Sequence, residues 1–209
     1  MRRILKFNLL VGLMLFNFVI YVDGQEKQRI INDIYLPKDA PVQIIGRELE
    51  GRKFEDRRLD NRISGVANSD WVKHLTLEVK NVSRKNVSYI RITLMVPQQK
   101  QMPGPMVYEV SFGSRNGTDG LISPGEAVKI KVRDSEYLAW EKRLRNWGVD
   151  DFDHVFLELR TIYFDDGTGW SLGNPLQQDP NNLKTWRSLL GTSGGKILIL
   201  QENGHRLGN

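Results

Sequence analysis

The chain has 209 residues, 40% of them hydrophobic and 26% charged, which is the size and make-up of one folded domain with tails. It contains no cysteine, which excludes disulfides, lipid attachment through cysteine, thiol catalysis and cysteine-ligated metal. Three of the 30 basic and one of the 25 acidic side chains fall in residues 1–24, so the remainder carries only +3, and its interspersed charges argue against a nucleic-acid partner.

Residues 1–24 read as an export signal. Arg2, Arg3 and Lys6 precede an apolar run from Phe7 to Val22, and polarity returns at Asp23. The run is short of the roughly 20 apolar residues that a spanning helix needs, and Val22 and Gly24 stand three and one residues before a cut after Gly24. The expectation is an exported protein, periplasmic or extracellular, that touches a membrane only through this segment if it is not cleaved. Export without disulfides fits a bacterial envelope protein.

Residues 25–40, ending in Pro37 and near Pro41, read as a flexible leader, and 41–188 as the folded domain. Val42 to Leu49 is a first strand, and the charged, Gly/Asn/Ser-dotted stretch from Glu50 to Asp70 is a long connection. From Trp71 the pattern sharpens. Leu75, Leu77 and Val79 alternate with Thr76, Glu78 and Lys80, and Ile90, Ile92, Leu94 and Val96 alternate with Arg91 and Thr93. The polar turn Asn81–Asn86 between them predicts an antiparallel hairpin. Residues 97–106 read as a loop, Val107 to Phe112 as a strand, and Val128, Ile130 and Val132 as another. Tyr137, Trp140, Leu144 and Trp147 form one helical stripe, started by Asp134 or Ser135 and closed by Gly148.

Val155 to Phe164 is apolar on both parities, with Val155, Leu157 and Leu159 on one and Phe156, Ile162 and Phe164 on the other. That predicts a central strand covered on both sides, the helix being one cover. Asp166-Gly167 predicts a hairpin turn and a return strand over Thr168 to Ser171. Trp186 is expected to pack back on the domain. Residues 189–209 form a Gly/Ser-rich tail whose KILIL run (Lys196–Leu200) either adds a strand or stays loose. Many short strands and one short helix predict an antiparallel, immunoglobulin-like β-sandwich.

The chain resembles a family of exported β-sandwich proteins of acidobacterial type. The resemblance runs from about Val42 to Trp186 and is carried by Trp71 with Leu75-Thr-Leu-Glu-Val-Lys-Asn81-Val-Ser, by Ser123-Pro-Gly-Glu126, by Phe164-Asp-Asp-Gly-Thr-Gly-Trp170, and by Asp179-Pro-Asn-Asn182 with Trp186. It implies an exported β-rich domain and brings no active site.

Candidate sites are few. Asp165, Asp166, Asp179, Asn181 and Asn182 are oxygen donors in two turns that a calcium ion would suit, although their spacing is not that of an EF-hand and turn chemistry explains the same residues. Trp71, Trp170 and Trp186 are candidates for an aromatic platform for sugar or peptide, against a default of core packing. His74, His154 and His205 are too scattered for zinc. The acids Asp150, Asp151, Asp153 and Glu158 lack any pattern for paired glycosidase carboxyls, and Ser- or phosphate-loop signatures are absent. Asn81-Val-Ser83, Asn86-Val-Ser88 and Asn116-Gly-Thr118 match the glycosylation sequon but read as turns in a bacterial chain. No catalytic residue and no cofactor is predicted. The favoured expectation is a non-enzymatic binding or scaffolding domain for an envelope protein or glycan, with loops 97–106, 113–123 and 165–185 as its surface. The alternatives are a hydrolase of envelope or extracellular polymer and a calcium-stabilised adhesion module.

Overall fold

A computed structural model describes residues 27–56, 60–113, 120–189 and 199–201. The signal segment, Asn116, His205 and most of the tail lie outside the described residues. Among the described residues, fourteen strands form two sheets. The small sheet holds β2 (Val42–Leu49), β3 (Arg52–Lys53), β6 (Leu75–Asn81) and β9 (Ala127–Lys131), in the order β3-β2-β6-β9. The large sheet holds β1 (Gln28–Tyr35), β4 (Glu55–Asp56), β5 (Asn61–Ser64), β7 (Val87–Val96), β8 (Met106–Gly113), β10 (His154–Phe164), β11 (Thr168–Ser171), β12 (Asn174–Asp179), β13 (Asn182–Ser188) and β14 (Ile199–Gln201). One α-helix, α1 (Asp134–Asn146), joins β9 to β10. All but one of the strand pairings are antiparallel, and the two sheets pack over a common apolar core, so the mainly-β sandwich with one helix stands as its alternation predicts.

Strand β10 organises the large sheet. Along one side it pairs with β7, from Phe156↔Met95 to Phe164↔Val87. Along the other it pairs first with β1, in parallel, and then with β11. The fork falls at Arg160, whose carbonyl accepts from Leu172 N at 3.1 Å and from Ser171 Oγ at 3.0 Å. Opposite β7, Arg160 is also the extra residue of a bulge between Leu159 and Thr161. An extra residue reverses the side-chain parity beyond it. Val155, Leu157 and Leu159 before the bulge, and Ile162 and Phe164 after it, therefore enter one core. Tyr163 turns to the opposite face, into a second cluster with Tyr89, Leu176 and Trp186. Ile162 and Phe164, expected on the other parity, are thus brought by the bulge onto the face of Val155, Leu157 and Leu159, while Phe156, before the bulge, keeps the opposite face.

Three other expectations are corrected. Strands β6 and β7 are not a hairpin. Strand β6 pairs with β2 and β9, while β7 pairs with β10 and β8, so the turn 82–86 crosses from one sheet to the other. Their alternating apolar faces meet across the core rather than along a shared ladder, and periodicity alone does not distinguish these cases. Residues 28–35, expected within a flexible leader, form β1. Its inward positions are Ile31, fully buried, and Arg29, also fully buried, and a charged residue at an inward position hides the alternation. The connection 50–70 contains β3, β4 and β5.

Arg29 is buried because every donor finds an acceptor. It gives hydrogen bonds to the carbonyls of Val66, Ala67, Asn68 and Phe152 and to Asp151 Oδ1. Its guanidinium also lies 5.8 Å from the Trp71 ring. Burial lowers its pKa, and the charge of Asp153 acts against that shift.

Arg133 is the N-cap of helix α1, in place of the expected Asp134 or Ser135, and it makes no side-chain capping hydrogen bond. It ends as its glycine predicts: Gly148, at φ +71, donates to Arg145 O at 2.9 Å, and Val149 donates to Leu144 O at 3.0 Å, a Schellman closure. Tyr137, Trp140 and Leu144 enter the main core, with Trp140 5.5 Å from Tyr108 and 5.3 Å from Phe152. The tail contributes β14, which pairs Ile199–Gln201 with Thr185–Arg187. No helix among the described residues is long and apolar enough to cross a membrane.

Candidate functional site: a cleft at the sheet crossover

The turn that carries the chain from β6 to β7 also builds a cleft. One wall is the β1–β2 connection, where Ala40 N closes a turn on Pro37 O at 3.1 Å. The other is Val82–Lys85, and Val82 N donates to Pro41 O at 3.0 Å, which ties the walls together. The cleft is open to solvent, is lined by Lys38, Asp39, Ala40, Pro41, Val82, Ser83, Arg84, Lys85 and Phe164, and has a volume of about 470 Å³. That volume is within the range of small-molecule sites.

Asn81 sets the shape of the second wall. Its side chain is fully buried. Its Oδ1 accepts from Ser83 N at 3.0 Å and Ser83 Oγ at 2.7 Å. Its Nδ2 donates to the carbonyls of Lys85 and Ile122, each at 2.8 Å. The turn is therefore held before any ligand arrives. The same burial removes Asn81 as a glycan acceptor in the folded chain, although Asn81-Val-Ser83 matches the sequon.

The charges in the cleft differ in their commitments. Lys85 Nζ lies 2.7 Å from Asp166 Oδ2, 2.8 Å from Thr168 Oγ1 and 5.4 Å from the centroid of the Phe164 ring. Partial burial raises the Asp166 pKa, but hydrogen bonds from Lys85 and Thr168 outweigh it and lower the value to about 2. Lys85 is therefore neutralised where it stands. Lys38 and Arg84 are exposed and make no ion pair among the described residues. Below them, Ala40 and Phe164 are buried apolar groups, and Val82 is 43% exposed.

The three aspartates expected to bind calcium hold partners within the protein. Asp165 Oδ2 accepts from Asn86 Nδ2 at 2.8 Å, Asp166 holds Lys85, and Asp179 pairs with Arg187 and accepts from Asn181 N at 2.9 Å. No group of three or more His, Asp or Glu side chains with metal-binding geometry occurs among the described residues. Trp71, Trp170 and Trp186 do not form a platform. All three are buried, Trp71 and Trp170 in the main core and Trp186 in the second cluster. Trp71 Nε1 donates to Phe152 O at 2.8 Å, and Trp186 stacks on Tyr163 at 3.8 Å and 3°.

Residues 165–185, expected as binding loops, are the β11–β12–β13 meander. Glu158 pairs with Arg160 at 2.8 Å, and Asp151 with Lys27 and Arg29. His74 lies 3.7 Å from Asp70. Lys38, Arg84 and Phe164 escaped the sequence reading as site residues. The available signal was the basic turn Asn81-Val-Ser-Arg-Lys-Asn86, but nothing local links it to Lys38 or Phe164.

The fold and cleft together define a mainly-β sandwich with a small-molecule-sized depression at the crossover between its sheets. No protein-family model, curated protein or solved structure matches the chain.

Proposed function

We propose that this chain is an exported, non-enzymatic binding domain of the cell envelope or exterior that seats its ligand in the cleft between residues 38–41 and 82–85. The observation that carries the reading is the pairing of two uncommitted cations, Lys38 and Arg84, with an apolar floor inside a turn pre-shaped by Asn81. A pre-shaped turn lowers the ordering cost of binding. Two-carboxylate hydrolysis has less support, since Asp39 is the single acid lining the cleft. The basic, apolar segment at 1–24 supports export.

The test is thermal melting of the protein in its exported form against envelope glycans, peptides, small carboxylates, phosphate and calcium. A rise in melting temperature with a ligand, lost in Arg84→Gln, is the expected result. A calcium-only rise would move the site to the 165–182 turns. No rise with any of them would sink the binding reading. Mass analysis of that same protein should find a chain beginning at Gln25, and a retained Met1 would overturn the export signal.

A further inference from the structure

We infer that the cleft is a receptor for a small carboxylic acid with an apolar tail. This rests on the binding reading above and names its ligand class. Lys85 is held by Asp166 and Thr168 over the Phe164 ring, so it serves as wall rather than as receptor. The free charge of the lining is then Lys38 and Arg84 against Asp39, a surplus of one positive charge. That surplus suits a monoanion and disfavours a cation. A free guanidinium matches the planar carboxylate with two parallel hydrogen bonds, a fit that a lone ammonium cannot make. Ser83 spends its hydroxyl on Asn81 Oδ1 and the Lys85 carbonyl, and the rest of the lining, Ala40, Pro41, Val82 and Phe164, offers carbon rather than hydrogen-bonding side chains. About 470 Å³ is the liquid volume of about fifteen waters, and an apolar tail that displaces them from such a floor gains where a sugar would lose hydrogen bonds.

The test is calorimetric titration of the protein in its exported form with four probes of equal chain length: octanoate, octanol, octylamine and octyl phosphate. Octanoate should bind saturably and at least tenfold more tightly than octanol, with octylamine weakest. Arg84→Gln should weaken octanoate about tenfold and leave octanol unchanged. Val82→Asp, at a position 43% exposed, should weaken octanoate by a similar factor. Equal binding of octanol, or octanoate binding untouched by Arg84→Gln, would overturn the carboxylate assignment and leave the cleft as a binding site. Tighter octyl phosphate would overturn it in favour of a phosphate. If no probe binds, the carboxylate assignment fails, and the glycan and peptide arms of the melting experiment decide the binding reading on their own.

Discussion

At the scale of single residues, backbone strain and burial stand out. Two hairpins of this chain turn on two residues with positive φ: Glu50 and Gly51 at 51° and 80°, and Leu172 and Gly173 at 47° and 84°. Such turns match the twist of the flanking strands, but they favour Asn or Gly at the first position. A leucine there crowds its Cβ against its own carbonyl, a cost of order 1–2 kcal/mol. Leu172→Asn should therefore stabilise the protein by about 0.5–1 kcal/mol and raise its melting temperature by about 1–4 °C. A fall in melting temperature would mean that the leucine side chain contributes packing that outweighs the strain.

His154 is the second residue with a readable consequence. Its ring lies 4.7 Å from Phe156, and its buried Nε2 has no hydrogen-bond partner. Burial lowers its pKa, and the charges of Asp153 and Asp60 act against that shift. The unfolded chain therefore takes up the proton more readily than the folded one. This component costs nothing above the unfolded value of about 6.5, and it destabilises the fold increasingly as pH falls below that. Urea midpoints measured from pH 7.5 to 5 should fall more steeply for the native chain than for His154→Phe. Parallel profiles would refute the depressed value.

At the scale of elements, the second aromatic cluster depends on a glycine. Tyr163 lies 5.4 Å from Tyr89 and 3.8 Å from Trp186, on the face that the Arg160 bulge gave it. Gly169 is registered against Tyr163. A Cβ there would stand 2.9 Å from Ile162 O and from Tyr163 Cδ1, and 3.2 Å from Trp186 Cζ3. Gly169→Ala should cost about 1–3 kcal/mol, as overpacking does, and should change the near-ultraviolet circular dichroism of the Tyr163–Trp186 stack. An unchanged spectrum at native stability would show that the stack adapts. The glycine is visible in Asp-Asp-Gly-Thr-Gly-Trp170, but a turn motif does not say what its second glycine must leave room for.

At the scale of the whole molecule, β1 joins β5 to β10 in the large sheet and Arg29 ties it to two distant segments, 66–68 and 151–152. A chain starting at Val42 would expose one edge of the first half of β10 and detach β5 and β4 from the sheet, so it should show no cooperative thermal transition, whereas one starting at Gln25 should keep it. Within the intact chain, Arg29→Ala should cost about 3–5 kcal/mol, because it leaves Asp151 and four carbonyls short of a donor. A loss below 1 kcal/mol in urea unfolding would show that water replaces the guanidinium without penalty.

Local pattern determined much of this protein. The period of two marked β6, β7, β8 and β9, the spacing of Tyr137, Trp140 and Leu144 marked the helix, and Asp166-Gly167 marked the turn into β11, because each of these depends on neighbours a few residues away. Tertiary structure decided which strand lies beside which, and so turned an expected hairpin into a crossover and an expected leader into a strand with a charged inward residue. It also decided the face of every residue after Arg160, since one extra residue reverses parity and only the pairing with β7 reveals it. The cleft belongs wholly to this second kind. Lys38, Arg84 and Phe164 lie on segments far apart in the chain, and only long-range strand pairing brings two free cations over one apolar floor.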